Sequence, residues 1–341
     1  MQTDNERIVF AKRPEGWPTA ETFRLEKTSL PDLKDDDVLL KTLFISVDPY
    51  MRGRMNTARS YVAPFAVGEP LTGGIVAEVV ESRYPHLNGG DVVVADLPWQ
   101  RYNAVAGNRV RKVDANTVPP GAYLSILGLT GLTAYFGLMD IGRPKAGETV
   151  VVSGAAGAVG STVGQIAKIA GCRVVGIAGT ADKVRYLVDE LGFDAAVNYK
   201  SPGFQNELKA ACPDGVDIYF DNVGGSVTDL VILLLNDFAR IPLCGQISLY
   251  NAEQIELGPR VFPILLTRRA LLKGFIVSDY AARFGEAVPQ LAEWLKVGKL
   301  KYSETVLEGF DQVPQAFLGL FRGENIGKQL VRVAAPKPKR W

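Results

Sequence analysis

The chain has one histidine, His86, and three cysteines, Cys172, Cys212 and Cys244, in 341 residues. A zinc site draws its ligands from several Cys and His side chains, usually in close-set pairs. Neither a Cys-x-x-Cys nor a histidine pair occurs. A catalytic zinc is therefore not expected, and three cysteines exclude a structural four-cysteine zinc. Nor can three cysteines all pair, so no disulfide framework is expected. A Ser-His-Asp hydrolase would have to use His86, which sits in the loop-like run Tyr84-Pro-His-Leu-Asn88. A charge excess of either sign is lacking too. The 38 Lys and Arg against 37 Asp and Glu leave a net charge of +1, which offers no field for nucleic acid or an acidic membrane surface. Apolar runs such as 231–235 and 264–266 are far too short to span a bilayer. Residues 1–7 are polar and lack the apolar core of a signal peptide, so a cytoplasmic location is expected. Lys337, Lys339 and Arg340, broken by Pro336 and Pro338, read as a solvated C-terminus.

What remains is an ordinary globular composition, 47% hydrophobic and 22% charged. The length exceeds what one hydrophobic core usually serves, so two domains are expected. The first third reads as β-rich, with strand candidates at 38–47, 74–80 and 91–95 and turn signals such as Asn88-Gly-Gly90. Short strands at this spacing suggest a small barrel-like domain. From residue 149 strands and helices alternate. Strands are expected at 149–153, 173–178, 195–198, 216–220, 239–243 and 271–277. Between the first two, Val159, Val163, Ile166, Ala167 and Ala170 recur at helical spacing up to Gly171. Helices are also expected at 181–191, 281–297 and 310–321, and a last strand at 329–333 returns to the first domain. This alternation implies right-handed crossovers and a buried parallel sheet.

The run Val150-Val-Val-Ser-Gly-Ala-Ala-Gly-Ala-Val-Gly160 follows a strand and opens a helix. In that context the pattern Ala155-x-Gly157-x-x-Gly160 reads as a dinucleotide loop. Gly157 allows close approach of a pyrophosphate, Gly160 allows the helix to pack near the strand, and the helix N-terminus offers free N–H groups. NAD enzymes usually place an acid about 20 residues on, at the end of the second strand. Here that strand runs into Ala178-Gly-Thr180 with no acid at its end; Asp182 comes slightly later with Lys183 next to it, which is either a phosphate contact or an ordinary solvated lysine at a helix start. A missing acid with a nearby lysine favours the 2′-phosphate of NADP(H).

Six segments now stand together: Ser46-Val-Asp-Pro-Tyr-Met-Arg-Gly-Arg54, Gly154-Ala-Ala-Gly-Ala-Val-Gly-Ser161, Asp221-Asn-Val-Gly-Gly225, Cys244-Gly-Gln-Ile-Ser-Leu-Tyr-Asn251, Lys273-Gly-Phe-Ile-Val277 and Gly323-Glu-Asn-Ile-Gly-Lys328. In these the chain resembles the zinc-independent medium-chain dehydrogenase/reductases, in the leukotriene B4 dehydrogenase/prostaglandin reductase branch that also holds alkenal double-bond reductases. The resemblance implies an α/β fold: a GroES-like, β-rich catalytic domain, residues 1–122 and 306–341, with an inserted Rossmann doubly wound parallel-sheet domain, residues 123–305. It implies NADPH/NADP+ as cofactor. Lys183 and Tyr199 match 2′-phosphate contacts, and Ala155, Gly157, Ala158, Val159 and Gly160 fall in the pyrophosphate loop. Asn222, the stretch 244–250 with Cys244, Gly245, Ser248 and Tyr250, then Phe275, Ile276, Val277 and Asn325 match positions lining the rest of the cofactor. It also implies a homodimer pairing through the edge of the Rossmann sheet.

The activity so implied is reduction of the carbon–carbon double bond of enones and enals. Hydride passes to the substrate β-carbon, and the resulting enolate needs hydrogen-bond donors where its charge develops. Tyr250, just beyond a strand end, is the expected protein donor beside the cofactor ribose hydroxyl; the alternative is that it only packs against the cofactor or anchors its loop. Tyr50 and Tyr61 are candidates to face the substrate, against structural roles for each. Arg52 either orients a charged substrate or pairs with Asp48. Cys244 is expected to act through its backbone, not as a nucleophile. Residues 56–65 and 254–263 are expected to shape the pocket. The rival readings are a zinc-free quinone reductase and a non-catalytic NADPH-binding protein.

Overall fold

A computed structural model describes residues 4–254 and 256–335; the expected solvated tail with Lys337, Lys339 and Arg340 lies outside them. The chain divides into two compact units, one of Met1–Leu124, Glu304–Asn325 and Gln329–Trp341, the other of Ser125–Ser303 with Ile326–Lys328.

The first unit opens with an antiparallel pair, β1 (Asp4–Phe10) and β2 (Phe23–Ser29), in which Ile8 stands opposite Leu25. Then come β3 (Asp37–Ser46), the short helix α1 (Met51–Arg54), β4 (Thr72–Ser82), β5 (Val92–Pro98), β6 (Tyr102–Ala106) and β7 (Arg111–Lys112). The strand expected at 38–47 is β3, and its first half alternates in burial with the period of two of a strand with one face inward. Val38 and Leu40 are fully buried, in one core with Ile75, Ala77 and Val79 of β4 and with Trp99.

In the second unit α2 (Leu129–Phe136) runs on into a π-helical turn, Gly137–Gly142. Then strands and helices alternate: β8 (Thr149–Val152), α3 (Ala158–Ile169), β9 (Arg173–Ala178), α4 (Ala181–Arg185), β10 (Ala195–Asn198), α5 (Phe204–Ala211), β11 (Val216–Phe220), α6 (Gly225–Ile232), β12 (Leu235–Leu243), α7 (Phe262–Arg268), β13 (Leu271–Gly274) and α8 (Phe284–Lys296). The strands form one six-stranded sheet in the order β10-β9-β8-β11-β12-β13, every neighbouring pair parallel. That is the Rossmann order, and its crossover direction reverses between β8 and β11, where such sheets bind ligands. All four residues of β8 are buried, as expected of a strand covered on both faces.

The chain then returns to the first unit. β14 (Glu304–Glu308), α9 (Val313–Arg322) and β15 (Lys328–Arg332) follow, and the larger sheet runs β14-β15-β3-β4-β5-β7, with β6 also on β3. Leu330 pairs with Ser46, so the C-terminal strand completes the first sheet. Among the described residues no helix is long and apolar enough to cross a membrane.

Several expected boundaries move: the strand expected at 239–243 begins at Leu235, the helix expected at 310–321 is α-helical only from Val313, and three others shift as follows. The helix expected at 181–191 is α-helical only to Arg185; a π turn over Tyr186–Glu190 then directs both Tyr186 and Leu187 inward. The strand expected at 271–277 stops at Gly274, and beyond it the Phe275 ring meets the Phe220 ring at 6.2 Å, edge to face. The helix expected from 281 is a 3-10 helix over Val277–Arg283 and becomes α-helical only at Phe284.

Candidate active site

Gly157 is the N-cap of α3, with φ −81° and ψ 173°. The first helical bond runs from the Ser161 N–H to the Gly157 carbonyl, 2.9 Å. The N–H groups of Ala158, Val159 and Gly160 therefore have no acceptor within the helix. With the positive end of the helix dipole they make a seat for an anion such as a pyrophosphate. A Cβ added at Gly160 would lie 2.4 Å from the Gly154 carbonyl oxygen and 2.8 Å from Ala155 Cα, so loop and helix touch there. At Gly157 the nearest atom to an added Cβ is the Gly154 carbonyl oxygen at 3.2 Å, a tight contact but a looser one than at Gly160. Ala155 is fully buried, and its N–H is tied to the Ile177 carbonyl at 3.0 Å. Gly160→Ala is thus expected to destabilise the fold by about 1–3 kcal/mol through overpacking. Gly157→Ala is expected to lower the thermal midpoint less than Gly160→Ala while weakening dinucleotide binding. Melting curves with and without dinucleotide separate the two; equal midpoint losses for both variants would contradict this assignment.

A cationic corner forms where β9 and β10 end. Thr180 caps α4, its hydroxyl accepting from the Lys183 N–H at 3.3 Å. The Tyr199 N–H donates to the Ala178 carbonyl at 3.0 Å, and the Lys200 ammonium stands 5.7 Å from the Tyr199 ring centre. Burial, and then the nearby Lys200 charge, lowers the Lys183 pKa below its ordinary 10.5. Two ammonium groups that raise each other's energy are relieved by a phosphate held near both. Lys200 is absent from the residues expected from sequence, although its adjacency to Tyr199 was a usable signal.

The two loops beyond β11 and β12 are fastened by Asp221, a fully buried carboxylate. It accepts from Ser153 Oγ (2.9 Å), Tyr219 Oη (2.9 Å), Thr228 Oγ1 (2.8 Å), Gln246 Nε2 (3.0 Å) and the N–H groups of Val223 (2.9 Å) and Gly224 (3.0 Å). Its backbone carbonyl accepts from the N–H groups of Cys244 and Gly245. Sequence reading quoted Asp221 but gave it no role, because its partners come from distant segments. Asn222 adds a second fastener, Nδ2 donating to the Ser153 carbonyl at 2.8 Å. Ser248 donates through Oγ to the Val223 carbonyl at 2.7 Å.

Tyr250 stands half-buried at the end of this loop, and its hydroxyl oxygen accepts from the Gln246 N–H at 3.3 Å. Burial holds the phenol above its ordinary 10.0. The Cys244 thiol is pushed up to about 12 by burial and then by the Asp221 charge. A thiol so raised is protonated at neutral pH and a poor nucleophile. The Phe275 ring lies against Phe220 and Tyr280, so it packs the floor; Ile276 is extended and Val277 buried beyond it. Asn325 precedes Gly327, whose N–H donates to the Ala156 carbonyl at 2.8 Å.

In the first unit Tyr50 is the N-cap of α1. Burial, with Asp48 and then Asp96 close by, pushes its phenol well above 10.0. Asp48 is buried and accepts from the Ser46 hydroxyl. Arg52, only 3% exposed, donates to Asn56 Oδ1 (2.7 Å) and to the Gly16 carbonyl (2.8 Å), which ties α1 to the loop after β1. Tyr61 is 61% exposed, on the loop between α1 and β4. Among the described residues no group of three or more His, Cys, Asp and Glu side chains is placed to hold a metal.

Residues 6–113 match the family model described as the N-terminal domain of oxidoreductase, and residues 158–295 the one described as zinc-binding dehydrogenase. YfmJ of Bacillus subtilis (strain 168) is 59% identical over 98% of this chain and 100% of its own length. The NADPH-dependent curcumin reductase of Escherichia coli (strain K12) is 45% identical over 97% of each chain. The crystal structure of CurA in complex with NADPH from Vibrio vulnificus superposes with a TM-score of 0.94 at 43% identity, covering 97% of this chain and 100% of that one. The chain belongs to the zinc-independent medium-chain dehydrogenase/reductases. Within them it falls in the alkenal reductase branch, beside prostaglandin reductase 1 of Rattus norvegicus and the NADP(+)-dependent 2-alkenal reductase of Nicotiana tabacum. This is an NADP-dependent oxidoreductase family, and the fold expected from the resemblance is the one observed.

Proposed function

We propose that this chain reduces the α,β carbon–carbon double bond of enones and enals with NADPH, without a metal, and that Tyr250 holds the enolate oxygen. The observation that carries the reading is the Tyr250 hydroxyl, fixed as an acceptor by the Gln246 N–H at the carboxyl end of the parallel sheet. With its oxygen so engaged, the hydroxyl proton is available to a substrate oxygen. The α3 N-terminus capped by Gly157 and the cationic corner of Lys183 and Lys200 suit the pyrophosphate and 2′-phosphate of NADPH. Ala155, Ala158, Val159 and Gly160 complete the pyrophosphate loop, with Tyr199 at the adenosine end. Asn222, Cys244, Gly245, Ser248, Phe275, Ile276, Val277 and Asn325 line the remainder.

Bound NADPH supplies the hydride that adds at the substrate β-carbon. Charge then collects on the substrate carbonyl oxygen, and Tyr250 donates to it; water returns a proton to the α-carbon. Fixed donors aimed at developing charge are worth most where water is excluded. Tyr50 and Tyr61 line the substrate end. In this assignment residues 1–122 and 306–341 serve the substrate and 123–305 the cofactor. Alkenals, phenylpropenals, keto lipids and curcumin-like diketones all carry the required conjugated carbonyl.

A second copy is assigned to the free edge of the Rossmann sheet. Among the described residues β13 pairs only with β12, and its Leu271 and Leu272 are 48% and 41% exposed. An unpaired edge with apolar side chains invites a partner strand. Light scattering on the purified chain is expected to give a dimer, in keeping with a cytoplasmic enzyme; a monomer at all concentrations would contradict it.

The test of function compares turnover of a medium-chain 2-alkenal and of a quinone, with NADPH. Faster turnover of the enal to a saturated aldehyde is expected. A preference for the quinone, or an allylic alcohol as product, would contradict the reading.

A further inference from the structure

Two segments quoted in the sequence for their resemblance, 221–225 and 244–251, are locked into each other, and Gln246 is the bolt. Its side-chain amide donates to Asp221 Oδ2 at 3.0 Å and to the Gly245 carbonyl at 2.9 Å. It lies directly on Gly224. A Cβ there would meet Gln246 Oε1 at 2.1 Å and Cδ at 2.5 Å, and Gly224 has φ +74° and ψ −162°. Only glycine takes that backbone conformation and also leaves that room. The backbone N–H of the same residue donates to Tyr250 Oη at 3.3 Å.

We propose that Gln246 is a positioning residue for Tyr250: clamped by Asp221 against Gly224, it sets its N–H on the phenol oxygen and leaves the phenol proton to be donated outward. The inference rests on the reading of Tyr250 as the enolate donor. The N–H does two things. It occupies the acceptor side of the hydroxyl, so the O–H rotor cannot turn inward to a competing partner. It also draws electron density from the phenol oxygen, which strengthens the O–H as a donor. The buried Asp221 charge explains why an amide serves at position 246. Its Nε2 supplies one more donor to a carboxylate that already accepts from five others.

The test is a double-mutant cycle with Gln246→Met and Tyr250→Phe, read as kcat for an enal, together with NADPH affinity by fluorescence titration. Gln246→Met removes the amide and keeps the length. It is expected to lower kcat about tenfold, with NADPH affinity within about twofold, and to cause no further loss when Tyr250 is already Phe. A readout without cofactor comes from NMR of the apoprotein carrying Cζ-labelled tyrosine. The Tyr250 signal, identified by its loss in Tyr250→Phe, is expected to move in Gln246→Met. Losses that multiply in the double variant, or an unmoved Tyr250 signal, would overturn the role of Gln246 alone. If Tyr250→Phe by itself leaves kcat unchanged, the reading of Tyr250 as donor falls, and this inference with it.

Should Gln246→Met fail to fold, Gln246→Glu keeps the shape. Of the titratable groups around that position, Tyr219 and Tyr250 are held above 10.0 and Cys244 is pushed up to about 12; the neighbouring carboxyls are Asp221, in contact at 3.0 Å, and Glu256, farther off beside Gly225. The introduced carboxyl, when protonated, can donate to Asp221 as the amide does; when ionised it repels it. Activity of Gln246→Glu is therefore expected at low pH and to fall as pH rises, over a range where the parent chain is flat. A pH profile parallel to the parent's would overturn the proposal.

Discussion

Tyr250→Phe is expected to lower kcat for an enal by about a hundredfold or more, the usual effect of removing one fixed donor to a developing oxyanion. NADPH affinity is expected to change little, because the ring and its packing remain. The loss should appear in kcat and kcat/KM alike, the mark of an interaction made in the transition state. The alkaline limb gives an independent check. Burial raises the Tyr250 pKa above 10.0, so the donor form persists to higher pH than for an ordinary phenol. Activity limited by this group is expected to hold through pH 9 and to be lost only as pH passes the raised value. A rate loss centred near neutrality, absent in Tyr250→Phe, would assign proton donation to Tyr250 but contradict the raised pKa. An unchanged kcat in Tyr250→Phe would remove the donor altogether.

Lys183→Ala is expected to raise KM for NADPH by roughly 10–100-fold while leaving KM for NADH nearly as it was. The range corresponds to one lost hydrogen bond to a charged group. Lys200→Gln is expected to act in the same direction, but less, because its ammonium stands farther out, over the Tyr199 ring. The pH dependence has a definite sign. The Lys183 pKa lies below its ordinary 10.5, so in the free enzyme the ammonium is lost earlier on the alkaline side than for an exposed lysine. Preference for NADPH over NADH is therefore expected to narrow as pH rises, and to narrow less in Lys183→Ala. Steady-state kinetics with both cofactors across pH decide this. An equal loss with NADPH and NADH would mean that Lys183 holds the loop and not the phosphate.

The parallel strands of the second unit were the most legible part of the chain. The runs at 173–178, 195–198 and 216–220 became strands with those bounds, because strands covered on both faces are written as short continuous apolar runs between turn residues. Helix α2 left no such trace. Gly131 interrupts its pattern and Gly137 follows its last residue, and glycine inside a helix weakens it by about 1 kcal/mol against alanine. The structure gives the reason: a Cβ at Gly131 would lie 1.8 Å from the Ile126 carbonyl oxygen, and one at Gly137 2.4 Å from the Phe275 ring. The first is a contact with the turn just before the helix; the second is tertiary, and nothing local announces it. β13 likewise ends at Gly274, inside a run that reads as one strand to Val277, and the Phe275 ring beyond it packs on Phe220 from a distant strand.

The cofactor loop was readable because its function is local: cap, glycines and helix start lie within seven residues. Asp221 was not, because its role exists only when Ser153, Thr228 and Gln246 converge on it from three segments. Gln246 was hidden for the same reason. What the sequence displayed was a pair of conspicuous motifs; what folding adds is that one motif's glycine makes room for the other's glutamine.

The most direct test of the account uses NADPH carrying deuterium at nicotinamide C4, a medium-chain 2-alkenal and mass spectrometry of the product. The account predicts a saturated aldehyde with one deuterium on the β-carbon and a proton from water on the α-carbon. An allylic alcohol with deuterium on the former carbonyl carbon would contradict it.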